Sequence, residues 1–413
     1  MGEWKETEFG HIPARWDLKR VSELKSSDKS AIAMGPFGSN IKAENFVQDG
    51  VPVIRGTNLN FDKYVGGDFV FLTEEKADEL RGSNCKAGDL VFTHRGTIGQ
   101  VGLVPAGKHR RYVISQSGMK LTVDQTRIDN EFLFYFFKSK YGQYQLLKSE
   151  SQVGVPSIHN PLTSLKEIEV PVPPLSEQRA IASVLRSLDD KIDLLQRQNK
   201  TLEAMAETLF RQWFVEEAMG GCEKVRLGDS VGTTSGGTPS RKRPEYYENG
   251  TIKWVKSKEL QGSFVFDTEE KITDEAIRES AAKLLPPDSI LLALYGATVG
   301  QYGILGESAA CNQAVCAIIP NNDYPYTYLF SLIKVNIEYI KNVAVGSAQQ
   351  NISQILVKEL EVHKSVARIR GYHNAVESYF EKIKANHYQI RTLTQMRDAL
   401  LPKLMSGEVR VKT

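Results

Sequence analysis

The sequence predicts an α+β protein written twice: two β-rich globular domains joined by two long helices that pair as an antiparallel coiled coil, an internal pseudo-two-fold repeat. Three observations predict it. A helical pattern of nearly forty residues follows the proline run VPVPPLSEQ (170–178), whereas an average globular helix is about three turns. Its apolar positions keep a strict three-four step. The same order of motifs, helix included, returns after about 190 to 200 residues.

The first domain is expected at 1–170. Short strand patterns at 51–55, 90–94, 100–104 and 111–115 are separated by Gly-rich turns such as MGPFGSN (34–40). The proline junction and central helix take 171–219. There the prolines favour an extended approach, Leu175 is placed as a hydrophobic staple, Ser176 as the N-cap and Glu177 in the first turn, where a carboxylate meets the positive end of the dipole. The seam runs Leu185, Leu188, Ile192, Leu195, Asn199, Leu202, Ala206, Leu209 and Trp213, with Asn199 a polar residue at an a position. So narrow a stripe needs a partner helix.

The second domain is expected at 220–365, with a strand at 290–295 and the turn TSGGTPSRKRPEYY (234–247). The C-terminal helix and tail occupy 366–413 and supply the partner. Val376, Tyr379, Ile383, Asn386, Ile390, Leu393, Arg397, Leu400 and Leu404 repeat the same steps, and antiparallel pairing puts Asn199 about one layer from Asn386. LEAMAETLFRQWF (202–214) aligns with LTQMRDALLPKLM (393–405) without a gap. GDLVFTHRGTIGQVGLV (88–104) parallels DSILLALYGATVGQYGIL (288–305), and ISQSGMKLTV (114–123) parallels ACNQAVCAII (310–319), matching Gln116 to Gln313.

Composition is that of an ordinary globular chain: 41% hydrophobic, 25% charged, net charge +2. No apolar run suits a membrane span or a signal core, so a cytoplasmic location is expected. Cys85, Cys222, Cys311 and Cys316 form no CxxC, and no histidine pair stands at ligand spacing, so buried thiols are expected and no metal. Catalytic motifs fail as well. GLVPAGKH (102–109) has His109 where a phosphate loop needs Ser or Thr, and a strand pattern follows it. There is no GxSxG, HExxH or GxGxxG, and Asn160-Pro161 lacks the aromatic ending that positions an amine for methyl transfer. The chain reads as non-catalytic by itself.

Polar and basic residues gather instead in the turns. Arg95, Arg110, Arg111, Thr238, Ser240, Arg241, Lys242, Arg243 and Lys256 suit phosphate or base contacts, and Asn40, Arg55, Asn58, Gln116, Gln152, Gln313, Gln349 and Gln350 suit base edges. Taken singly, most of these are ordinary solvated loop residues; as two sets in repeated positions they point to double-stranded DNA. Thirty-nine helical residues at roughly 1.5 Å each make a rod of roughly 58 Å. At about 3.4 Å per base pair, that is roughly seventeen base pairs.

With PVPPLSEQRAIASVLRSLDDKIDLLQRQNKTLEAMAETLFRQWF (171–214), LLPKLMSGEVRV (400–411) and WKETEFGHIPARWDLKRVSEL (4–24), the chain resembles the specificity subunits of type I restriction-modification systems over essentially its whole length. The resemblance implies two target recognition domains, each reading half of a bipartite, asymmetric DNA site. It also implies a coil that sets the spacer and docks two methyltransferase subunits, and two separate restriction (motor) subunits. S-adenosylmethionine, ATP and Mg would belong to those partners. One departure stands out: the second junction, EVHKSVARIRG (361–371), lacks the prolines and the Glu-Gln pair. Other readings of the same residues are a coiled-coil scaffold with two protein-binding heads, and the recognition subunit of a methylation-only phage defence.

Overall fold

The structure, a computed structural model, describes residues 3–8, 10–38, 40–59, 63–151, 154–217, 223–345 and 351–411. The architecture is α+β and divides into two compact units, Met1–Ile192 with Leu393–Thr413, and Asp193–Thr392. Among the described residues no helix is long and apolar enough to cross a membrane.

Unit one holds two four-stranded sheets. The first runs Val70–Leu72, Val51–Ile54, Tyr112–Ile114, Asn84–Cys85; the second runs Ile32–Met34, Gly118–Leu121, Leu90–Thr93, Val101–Leu103. The strands Val51–Ile54, Leu90–Thr93 and Tyr112–Ile114 are buried on both faces, so they read as apolar runs without alternation. The helix Asn130–Lys138 starts because the Asp129 carboxylate accepts from the Glu131 and Phe132 amides, both at 3.0 Å. Its residues Phe132 to Phe137 are buried with Trp16, Phe92, Ile181 and Leu185, and Leu404 and Met405 of the C-terminal helix complete that core.

Unit two repeats the plan. A five-stranded sheet runs Gly232–Ser235, Val315–Ile319, Ile290–Ala293, Tyr302–Leu305, Phe264–Val265, beside a three-stranded sheet Lys271–Ile272, Ile252–Val255, Ala310–Cys311. The repeat holds at the level of register. Met34 pairs with Met119 as Ser235 pairs with Cys316, and Val53 lies parallel to Val113 as Trp254 lies parallel to Ala310. Cys85, Cys311 and Cys316 are free and buried, which pushes the latter two thiols up to about 12; Cys222 lies outside the described residues.

Two helices are long, Leu175–Arg211 and Val366–Ser406. In unit two they pair antiparallel: Asn386 Nδ2 donates to Asn199 Oδ1 at 2.7 Å, and Tyr372 Oη donates to the Ala206 carbonyl at 3.1 Å. The two asparagines, expected about a layer apart, meet directly and are buried. Leu185, Ile192, Leu195, Val376 and Ile383 are buried in the core or between the helices, while Leu188, Leu202, Ile390, Leu393 and Leu400 are half-buried. Toward the end of the central helix the seam drifts from its expected course. Leu209 is only half-buried; Phe210 and Phe214 take the deep positions, with ring centroids 5.5 and 5.1 Å from Tyr328. The drift has a cause: here the helix packs on a globular core as well as on its partner, and a π turn follows at Gln212–Glu216.

The start of the central helix also differs from expectation. The Pro174 carbonyl, not Ser176, caps it, accepting from the Glu177 and Gln178 amides. Glu177 and Gln178 turn inward. The Glu177 carboxylate accepts from Arg15 at 2.8 Å and from Trp16 Nε1 at 3.2 Å. Gln178, fully buried, accepts from the Asp129 amide at 2.7 Å and donates to the Pro173 carbonyl at 2.8 Å. At the second junction, which lacks this pair, other groups do the fastening. His363 Nε2 donates to the Phe214 carbonyl at 3.1 Å, Tyr328 Oη accepts from the His363 amide at 3.0 Å, and Arg368 pairs with Glu217 at 2.6 Å.

Candidate nucleic-acid interface

In unit one four backbone segments meet at one tip. Gly35 donates to the Gly118 carbonyl at 2.9 Å, and His94 to the Ser117 carbonyl at 2.9 Å. His94 also holds the Gln116 carbonyl through Nε2 at 3.1 Å. Segment 154–158 joins through Gly96 to Pro156 (2.8 Å) and Ile158 to His94 (2.9 Å). One glycine is needed for this closeness: a Cβ on Gly35 would collide with the Ser115 carbonyl, whereas one on Gly38 would meet only the end of the exposed Gln116 side chain. Burial pushes the His94 pKa below its ordinary value, so the ring stays neutral and keeps one N–H for the Gln116 carbonyl. From this frame Asn40, Arg95 and Gln116 project as exposed side chains. Two apolar side chains accompany them, Phe37 at 81% exposure and Val155 at 53%.

Unit two builds the same frame from different residues. Gly236 donates to Val315 (3.2 Å), Leu294 to Ala314 (2.7 Å) and Ile352 to Leu294 (2.6 Å), each matching a bond of unit one. The residue in register with Gln116 is Gln313, and the one in register with Phe37 is Thr238. Both are exposed, and the Thr238 hydroxyl donates to Gln313 Oε1. Leu294 stands where unit one has His94.

The remaining candidates divide. Asn58 is buried; its Oδ1 accepts from the Arg55 amide at 3.0 Å and its Nδ2 donates to the Gly66 and Asp68 carbonyls, so its hydrogen-bonding capacity serves the loop and not a base. The Arg55 guanidinium is half-buried and donates weakly to the Asp68 carbonyl at 3.4 Å. In unit two Lys256 holds the equivalent position, and its ammonium pairs with Glu269 and Glu270. Arg111 is paired with Glu74 and Asp78, whereas Arg110 is exposed without an ion pair among the described residues. Within the basic loop, Arg241 pairs with Glu270 and lies 4.2 Å from the Tyr247 ring centroid; Arg243 pairs with Glu245, Glu275 and Glu279. Their charge is matched inside the protein. Lys242 is exposed without an ion pair among the described residues, and Ser240 is exposed. Gln152, Gln349 and Gln350 lie outside the described residues.

Sequence reasoning missed Phe37. The signal was present in MGPFGSN, an aromatic ring between glycines in a turn, where an apolar side chain has no core to enter.

Comparison with known proteins bears on this geometry. The family model for the type I restriction modification DNA specificity domain matches residues 38–204 and again 219–363. The chain is 27% identical to the type I restriction enzyme MjaIX specificity subunit of Methanocaldococcus jannaschii, covering 99% of this chain and 97% of that one. It is 24% identical to the HindI specificity subunit of Haemophilus influenzae, covering 93% and 100%. The fold matches a crystal structure of the type I restriction-modification system S subunit from M. genitalium with a TM-score of 0.60 and 18% identity, over 94% of this chain and 96% of that one. Two tandem matches to one family model, laid over two units of one plan, lead to one conclusion: the chain belongs to the type I restriction modification DNA specificity domain family, as a specificity subunit.

Proposed function

We propose that this subunit reads double-stranded DNA with two target recognition domains, each contacting one half of a bipartite, asymmetric site. The observation that carries the reading is the repeated tip: one backbone frame, built twice, displaying Asn40, Arg95 and Gln116 in one unit and Thr238 and Gln313 in the other. Gln and Asn can bond adenine in two places, and Arg can do so with guanine. Different side chains on a shared frame suit two different half-sites. The recognition domains correspond to 1–170 and 220–365, and the helices between and after them set the spacer.

The same helices dock two methyltransferase subunits, which bring S-adenosylmethionine and methylate adenine; two restriction subunits bring ATP and Mg. Specificity subunits are non-catalytic components, and this chain supplies recognition while its partners supply chemistry.

The test is a genome-wide map of methylated bases in cells expressing the chain with its methyltransferase partner. A two-part asymmetric motif with a fixed spacer is the expected result. Absence of any motif while the partner is demonstrably bound would count against DNA reading and favour a scaffold.

A further inference from the structure

We infer that Phe37 is a specificity-determining residue of the first recognition domain, and that it reads the C5-methyl group of a thymine in the major groove beside the base read by Gln116. The inference rests on the DNA-reading function proposed above and deepens it.

Phe37 is the most exposed large apolar side chain among the described residues, at 81%. A phenyl ring left in water forgoes the burial that favours such rings, so a ring held out beside a base-reading amide calls for a partner surface. Pro36 restricts the backbone just before the ring, Asn40 donates to the Phe37 carbonyl at 2.8 Å, and Gly35 lies closer to the Ser115 carbonyl than any side-chain-bearing residue could.

The neighbour gives the ligand its chemistry. Gly38 lies against the Gln116 side-chain amide, so the ring and the amide belong to one small patch. A Gln amide reads adenine through N6 and N7 in the major groove, where the partner thymine presents its methyl group. Ring and amide together match the two halves of an A·T edge, on the same or the adjoining pair.

Unit two supplies the internal comparison. In the same register it has Thr238, whose hydroxyl donates to Gln313 Oε1. The aromatic side chain is therefore displayed in one unit and not in the other.

The experiment uses the full chain with its methyltransferase subunits and synthetic duplexes carrying the mapped target. Each thymine is replaced in turn by deoxyuridine, which removes the methyl group and keeps every hydrogen bond. Wild type should bind one first-half substitution about four-fold more weakly, the equivalent of about 0.8 kcal/mol for one buried methyl. Phe37→Ala should be indifferent to that substitution while responding like wild type to substitutions in the second half, which also shows that the variant is folded. Wild-type indifference to every first-half thymine methyl would overturn the inference, as would a Phe37→Ala variant that keeps the penalty. Both outcomes leave DNA reading standing, whereas failure of wild type to select the mapped duplex at all would overturn that reading and the inference with it.

Discussion

Asn199 and Asn386 are buried polar side chains bonded to each other between two helices, and Asn386 keeps its Oδ1 without a partner. Asn386→Leu should therefore cost about 1–3 kcal/mol, because Asn199 is left with its amide unsatisfied. Changing both residues to leucine should recover much of that loss while relaxing the spacing of the methylated motif, since an apolar pair no longer marks one register. Denaturant unfolding of the single and double variants checks the first part, and the methylation map checks the second. Gly407 makes a different demand. It ends the C-terminal helix with φ at 74°, and a Cβ there would collide with Pro13 and crowd Trp16. Gly407→Ala is expected to lower stability by about 1–3 kcal/mol; an unshifted unfolding midpoint would refute that assignment. In the basic loop, Lys242→Ala should weaken DNA binding and reduce the salt slope by about one. Arg241→Ala should show itself mainly in stability, because its guanidinium already pairs with Glu270. Much of this was legible beforehand: the register asparagines stand out against apolar neighbours. The pairing of Arg241 and Arg243 was not, because the glutamates that hold them come from as far along the chain as Glu279, and charge alone does not reveal its partner.

Among the elements, the proline junction illustrates what pattern reading captures and what it loses. The prolines mark where the helix begins, and a helix does begin at Leu175. Nothing in local spacing shows that Glu177 and Gln178 turn inward to Trp16 and Asp129, since those partners lie 161 and 49 residues away in sequence. Gln178→Ala should destabilise unit one by about 1–3 kcal/mol, as the half-buried Asp129 amide loses its acceptor and the Pro173 carbonyl its donor. The short strands came through because their apolar runs are bounded by turns; the π turn at Gln212–Glu216 did not, because no composition specifies an extra residue in a turn. Two buried histidines fasten elements in each half of the chain, His94 at the tip and His363 at the second junction, and burial holds both below the ordinary value of 6.5. The unfolded chain then binds protons that the folded chain refuses. Stability is fully present above 6.5 and is lost as pH falls toward the depressed values. Thermal unfolding should fall between about pH 7 and about pH 5.5, and by less in His94→Gln; an equal fall in both proteins would exclude His94 from that dependence.

At the scale of the molecule, one plan serves twice, and the two tips should act separately. Gln116→Ala should blur one half of the methylated motif and leave the other intact, with Gln313→Ala doing the converse. Blurring of both halves by either change would argue against independent recognition. The doubled plan was open to sequence reading because the repeat preserves its glycines, its glutamines and its helix seam. The displayed side chains were less so, because exposure depends on how four loops meet. Unit one is also discontinuous: Leu393–Thr413 belongs with Met1–Ile192, and Leu404, Met405 and Gly407 close over the face that holds Trp16. On the ribosome, the lid of this unit is therefore synthesised only after the second unit. The nascent chain carries an open apolar face throughout synthesis of the second unit, and a nonsense mutation anywhere before Leu393 strips the cover from a core encoded hundreds of codons upstream. A message cut short within the second unit would therefore yield a product whose first core lies open to water.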